Sequence, residues 1–384
     1  MDKKLVRITT IPLSLDKLLG GQLRFMSAHY TVTAVSSDKI YLDKIGQKEN
    51  VSVYHVEMTR KITPFKDLKA VIRLYLFLKK HRPFIVHTHT PKAGTVGMIA
   101  AKLAGITHRL HTVAGLPLLE ATGKKRKLLN VVEKLTYACA TKVYPNSNGL
   151  KAIIEKEQFC KPEKLAVIGR GSSNGIDTSF FSKAATGESA TAALRKTLQL
   201  SEKDFVFVFV GRLVGDKGIN ELVTAFQQLC PVYSNIKLLL VGPLEADLDP
   251  LMPECTAAIA GNSRIITTGM QPDVRPYLAI ANALVFPSYR EGFPNVVMQA
   301  GAMELPAIVS DINGCNEIIV QGQNGLIVPV KDSGKLRQAM EALLKDMQLY
   351  LILKSNARPM IVSRYEQKFV WEALLDEYKS LENV

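Results

Sequence analysis

Along most of its 384 residues the chain alternates between short apolar runs and longer segments whose apolar residues recur every three or four positions. The short runs have the length and β-branched content of buried strands, and the longer segments have the spacing of helices packed on one face. The first group of predicted strands is Leu5–Ile11, Tyr30–Val35, Val51–Val56, Phe84–Val86, Arg109–Val113, Val143–Tyr144 and Leu165–Ile168. The second group begins at Phe205–Val210 and continues through Lys237–Val241, Ile265–Thr267, Ala283–Phe286, Ala307–Val309 and the run N-G-L-I-V-P. Between them lie predicted helices, among them Phe65–Lys80, with Leu68, Val71, Ile72, Tyr75 and Leu78 as its apolar positions, and Ala190–Leu198. This alternation predicts an α/β protein with parallel sheets. A polar, Ala/Thr/Ser-rich stretch from Ser182 to Asp204 marks the expected change of domain, giving domains 1–185 and 186–362 and a tail, 363–384.

Composition narrows the class. A hydrophobic content of 47% with 22% charged residues suits a globular chain with full cores. No apolar run approaches the roughly 18 residues of a membrane span, and the first residues lack the apolar segment of a signal peptide, so neither is expected. Five scattered cysteines read as free thiols in a reducing cytosol, and no Cys/His spacing suggests a metal. The net charge of +14 is uneven: residues 1–180 carry 30 Lys and Arg against 13 Asp and Glu, the remainder 19 against 22. A basic first half implies an anionic partner surface. Signatures of nucleic-acid binding are missing, which leaves an anionic membrane as the expected partner. Leu116, Leu118 and Leu119 precede Lys124, Lys125, Arg126 and Lys127, and apolar residues beside a basic cluster suit lipid contact.

Candidate chemistry sits where strands end. After Ala283–Phe286 come Pro287, Ser288, Glu291, Gly292, Phe293 and Pro294, then a predicted helix N-capped by Asn295. After Phe205–Val210 come Gly211, Arg212, Lys217 and Gly218, cations at a strand-to-helix turn of the kind that holds a diphosphate. In open parallel sheets ligands bind beyond these strand ends. Gly20-Gly21 opens a helix whose free N–H groups favour a phosphate. His87 and His89, two apart on a strand, share a face, but the sequence supplies no third metal ligand. Asp247 and Asp249 form a D-x-D inside a proline-bounded acidic loop and are expected to be solvated.

Taken together, these stretches resemble the GT4 family of retaining glycosyltransferases. Pro287, Ser288, Glu291, Gly292, Pro294 and Ala300 fit P-S-x-x-E-G-x-P followed by the family's helix, and Gly211, Arg212, Lys217 and Gly218 fit G-R-x-x-x-x-K-G. H-T-H-T-P-K-A-G and N-G-I-D-T-S-F-F add two further matches, so the resemblance spans nearly the whole chain. Two positions depart: Gln299 stands where the family has a second glutamate, and Ala114 where relatives have a histidine. The resemblance implies the GT-B fold, two Rossmann-like doubly wound parallel-sheet domains facing a central cleft, with the tail crossing back to the first. It implies transfer of a sugar from a nucleoside diphosphate sugar, UDP-linked by preference, to a hydroxyl of a glycan, with retention. Arg212 and Lys217 would stabilise the leaving diphosphate without metal or cofactor, Glu291 would position the sugar and Gln299 the ribose. Gly20, Gly21, Gly211, Gly292, Phe293 and Pro294 would line the donor site, backbone near Met270 and Asp273 would read the base, and His89 would handle the acceptor hydroxyl. A polyprenyl-diphosphate-linked acceptor and a cytoplasmic enzyme on the inner face of the plasma membrane, making surface polysaccharide, complete the expectation. Two rivals stay open: a nucleotide-sugar 2-epimerase, and a non-catalytic sugar-nucleotide-binding subunit.

Overall fold

The computed structural model describes residues 3–245 and 249–383. The chain forms two units: everything up to Gly175 together with the segment from Lys368 onward, and Ile176–Gln367. The polar stretch that marks a domain change by composition folds instead as two short helices, Lys183–Thr186 and Glu188–Thr197, which pack on Arg275–Ala279 of the second unit.

In the first unit β1 (Lys4–Ile8), β2 (Thr31–Ser36), β3 (Ser52–His55), β4 (Ile85–His89), β5 (His108–Val113) and β6 (Lys142–Pro145) form one sheet in the order β3-β2-β1-β4-β5-β6. Every pairing is parallel. The expected seventh strand, Leu165–Ile168, is a single bridge from Leu165 to Val143. A one-turn helix at Pro162–Lys164 delays it, and Gly169 and Gly171, both at positive φ, turn the chain away after one pair.

The second unit repeats the plan. Strands β7 (Phe205–Val210), β8 (Ile236–Val241), β9 (Ile265–Thr267), β10 (Ala283–Phe286), β11 (Ala307–Ser310) and β12 (Gly325–Val328) pair in the order β12-β11-β10-β7-β8-β9, again all parallel. The strands are buried on both faces, which is why they read as unbroken apolar runs. In each unit the winding reverses beside the first strand, between β1 and β4 and between β7 and β10. These switch points are where open α/β sheets bind ligands.

The C-terminal helix Gln367–Ser380 packs on the first unit through Val370, Leu374, Leu375 and Tyr378. Each buried leucine contributes about 1.5–3 kcal/mol. The tail's indole fixes a glycine: Gly21 stands at φ 78, and a Cβ there would lie 2.7 Å from the Trp371 ring.

Candidate active site

At the β7/β10 switch point the loop after β7 meets the loop after β10. A single turn at Gly215–Lys217 leads into the helix Ile219–Leu229. Gly218 joins them at φ 70, where a Cβ would come within 2.1 Å of the Pro287 carbonyl oxygen, so only glycine lets the two loops approach. Lys217 reaches across and pairs with Glu291. Ser288 donates to Glu291 Oε1 at 3.0 Å and lies 3.5 Å from Lys217 Nζ. Both charged side chains are four-fifths buried, so the pair sits at a low local dielectric, strengthened by the hydroxyl between them.

The neighbouring charges are paired in the same way. Arg212 Nη1 lies 3.0 Å from Glu245, and Arg290 Nη2 lies 2.8 Å from Asp216. Asn313 donates to the carbonyls of Glu291 and Gly292, and Gly314, at φ 77, leaves room for the Gly292 carbonyl 2.5 Å from where its Cβ would stand. The acidic glycine loop is thus held from behind by the segment after β11. The sequence reading missed Asn313 and Arg290, although Asn-Gly at 313–314 is a turn signal in its own right.

The other predicted donor residues are scattered in role. Gln299 is half-buried on the helix Asn295–Ala302, and its amide makes no hydrogen bond among the described residues. Pro294, not Asn295, occupies the cap position of that helix. Phe293 is buried with its ring 5.3 Å from that of Tyr365, a packing role. Met270 is exposed in the loop after β9, and Asp273 is held by Arg275 at 2.7 Å, which draws its carboxyl below the usual range. Asp247 of the D-x-D lies outside the described residues. Asp249 is not solvated: its carboxylate accepts from the Asp216 N–H and its carbonyl from the Gly215 N–H, so it shapes the turn that carries Lys217. No group of three metal-ligating side chains occurs among the described residues.

The first unit's switch point holds a different cluster. Arg7 on β1 is fully buried and has no carboxylate partner among the described residues; its Nε donates to His89 Nε2 at 2.9 Å and its Nη2 to Gln22 at 2.5 Å. A guanidinium only donates, so His89 Nε2 must accept and the neutral ring must carry its proton on Nδ1. Burial, His87 and the Arg7 charge hold His89 well below the ordinary imidazole range. The lone pair a base would use already faces Arg7. What the geometry leaves for the expected acceptor-handling role is hydrogen-bond donation from Nδ1, a buried atom without a partner among the described residues. His89 lines a cavity of about 20 Å³ shared with Asn146 and Ser173, room for one water. His87 is satisfied on both sides, by Tyr378 at 2.5 Å and Thr112 at 2.7 Å, and His111 by Thr88 at 2.8 Å. Thr90, beside this cluster, stands at φ 87, and Thr10 bonds its hydroxyl at 2.8 Å. Strain of that kind in a non-glycine residue costs about 1–3 kcal/mol.

Gly20-Gly21 does not present free amides for a phosphate. Glu49, from the end of the helix Lys39–Glu49, accepts from the Gly21 N–H at 3.0 Å and the Arg24 N–H at 3.2 Å. The carboxylate caps the helix Gln22–Ser27 where the sequence suggested a ligand. Of the four bases at 124–127, Arg126 is drawn inward to Glu157 at 3.0 Å and the Leu118 carbonyl at 2.7 Å, while Lys124, Lys125 and Lys127 are exposed.

Two Rossmann-like parallel sheets of the same winding make the GT-B architecture. Residues 25–171 match the family described as glycosyl transferase 4-like domain, and residues 191–360 match glycosyl transferases group 1. The chain is 32% identical over 380 residues to the capsular polysaccharide biosynthesis glycosyltransferase CapM of Staphylococcus aureus, covering 99% of this chain and 97% of that protein. It is also 32% identical over 316 residues to the Escherichia coli UDP-Gal:alpha-D-GlcNAc-diphosphoundecaprenol alpha-1,3-galactosyltransferase, covering 80% and 78%. Among solved structures it resembles Anabaena HepE in complex with UDP and glucose, with a TM-score of 0.83 at 18% identity over 98% of this chain and 100% of that one. The chain belongs to the GT4 family and is a glycosyltransferase. The epimerase alternative finds no support among these relatives.

Proposed function

We propose that the enzyme transfers a hexosyl or N-acetylhexosaminyl group from a UDP-sugar to a hydroxyl of a polyprenyl-diphosphate-linked glycan, with retention, during assembly of a bacterial surface polysaccharide. The observation that carries the reading is the Lys217–Ser288–Glu291 cluster at a switch point, in a chain similar over almost its full length to a capsule glycosyltransferase. An arriving diphosphate competes with Glu291 and Glu245 for Lys217 and Arg212. The ammonium and guanidinium then stabilise the leaving phosphate, and Glu291 is released toward the sugar hydroxyls. Glutamine at 299 can pair with the ribose hydroxyls through donor and acceptor atoms together. These groups supply the positive charge that a divalent ion would otherwise bring, so EDTA should leave turnover unchanged. His89 serves as a neutral donor to an oxygen. The acceptor's lipid and the exposed Lys124, Lys125 and Lys127 support a reading in which the enzyme works at the inner face of an anionic membrane.

UDP release, measured for a panel of UDP-sugars with and without an undecaprenyl-diphosphate-linked sugar, tests the reading. Acceptor-dependent release supports it. Isomerised nucleotide sugar without acceptor, or UDP binding without turnover on any acceptor, overturns it in favour of an epimerase or a binding subunit.

A further inference from the structure

The helix Pro64–His81 is apolar on two opposite faces. One is core: Ala70, Leu74, Phe77 and Leu78 are buried. On the other, Phe65, Leu68, Ile72 and Leu76, spaced by three, four and four residues, form a single stripe on the outside. Phe65 is 92% exposed and the other three are at least half exposed. Leu68 and Ile72, whose spacing suggested an inward face, belong to this outer stripe. Burying the inner face already accounts for the helix, so the outer stripe has no partner among the described residues.

The charges around it say what covers it. Residues 60–82 contain eight Lys and Arg and one acid, Asp67, which is committed to Lys92. Lys69, Arg73, Lys79 and Lys80 are exposed beside the stripe, and Lys66 meets only the exposed Glu57. A second copy of this helix would set like charges against each other, which disfavours self-association through it. An anionic bilayer answers both features at once, accepting the apolar side chains below the headgroups and the bases among them. The helix Gly123–Cys139 repeats the pattern with exposed Leu128, Val131 and Leu135 beside Lys124, Lys125, Lys127 and Lys134. Both helices pack on Pro91–Leu103 between them, so their outer faces lie on the same side of the sheet.

We propose that the outer stripe of Pro64–His81, flanked by its bases, is the principal surface by which the enzyme docks onto anionic lipid, with Gly123–Cys139 as its flank. This rests on the membrane-facing reading above and moves its centre from residues 124–127 to the preceding helix layer. The test is co-sedimentation of the full chain with vesicles of phosphatidylcholine alone or with about a third phosphatidylglycerol. Phe65→Ser, Leu68→Ser and Leu76→Ser combined should weaken binding to the anionic vesicles by about tenfold or more. Lys66→Gln, Lys69→Gln and Arg73→Gln combined should do the same, with the thermal midpoint unchanged in both variants. Wild-type affinity in the serine variant overturns the proposal. So does equal binding to neutral vesicles, or a wild-type dimer in light scattering that the serine variant abolishes. The thermal shift with UDP, read on the same proteins, separates the two ideas. Vesicle binding without any UDP shift sinks the UDP-sugar reading and leaves the docking face standing, and a UDP shift with no vesicle binding does the reverse.

Discussion

The two units wind their strands identically, and each places a polar cluster at the point where the winding reverses, yet the clusters are electrostatic opposites. In the second unit the cations Lys217, Arg212 and Arg290 each hold a carboxylate, and all keep some access to solvent. In the first, Arg7 and three imidazoles are buried with no carboxylate among them in the described residues. Paired, partly wet charges can exchange one anion for another at small cost, because the incoming phosphate replaces what the carboxylate gave. A buried guanidinium hydrogen-bonded only to neutral acceptors has nothing to exchange and serves to fix orientation. The loops after the first strand of each unit differ likewise: after β7 the turn offers a lysine, while after β1 the helix end is closed by Glu49. Under the proposed function, the same topology builds one ligand-exchange site and one rigid donor site.

The largest effect tests the exchange half. Lys217→Ala removes the charge that takes over the leaving phosphate, and turnover should fall about 10²–10³-fold with the fold intact by circular dichroism. Near-normal turnover would show that the Lys217–Glu291 pair is structural, and the contrast between the units would collapse.

Next in size is a pH effect belonging to the rigid half. Burial holds His111 at about 4, and His87 and His89 lie well below their ordinary range. The unfolded chain takes up protons near pH 6.5 that the folded one refuses, so this contribution to stability is complete above pH 6.5 and is lost as pH falls toward 4. At about 1.4 kcal/mol per pH unit, His111 alone accounts for about 3 kcal/mol. Urea unfolding followed by the fluorescence of Trp371, the single tryptophan, should show stability rising from pH 4.5 to 7. A flat profile would mean that these imidazoles titrate in the folded state. Histidine ¹⁵N spectra should agree, with His89 protonated on Nδ1 throughout.

How far the sequence reaches can be judged on the same residues. The strands were legible because burial on both faces leaves an unbroken apolar run, and the positions of Lys217 and Glu291 at strand ends because each follows such a run. Leu165–Ile168 misled because an apolar run does not reveal how soon the chain must turn. Gly20-Gly21 misled because a glycine needed for a neighbour's indole looks the same as one needed for a phosphate. Arg7 and Glu49 were invisible, since each acts through partners far away in sequence: His89 across β1 and β4, and the Gly21 amide from another helix. Leu68 and Ile72 fit the same helical spacing as the buried Leu78 yet lie outside, because spacing places residues on a helix face without saying which face is covered.

Gly21→Ala comes third. At φ 78, with the Trp371 ring 2.7 Å from the added atom, the substitution should cost about 1–3 kcal/mol in stability while leaving the affinity for UDP unchanged. Thermal denaturation with and without UDP reads both quantities. A loss of UDP affinity without a loss of stability would restore the phosphate role and make the two loops alike after all.

The smallest effect is the sharpest test of what exchange requires. Gln299 replaces a carboxylate that the family pattern carries, and its side chain is half-buried with no hydrogen bond among the described residues. Nothing in the free enzyme therefore depends on the amide. Gln299→Glu gives the site an ionised acceptor, and hydrogen bonds to a charged acceptor are roughly twice as strong as neutral ones. If this residue holds the ribose hydroxyls, affinity for UDP should rise by a few-fold, about 1 kcal/mol, with kcat nearly unchanged, because ribose contacts are the same in ground and transition states. A fall in affinity would mean that the added negative charge is felt by the diphosphate more than by the ribose. The neutral amide would then be what lets Lys217 give up Glu291 for an incoming anion without a second carboxylate competing for it.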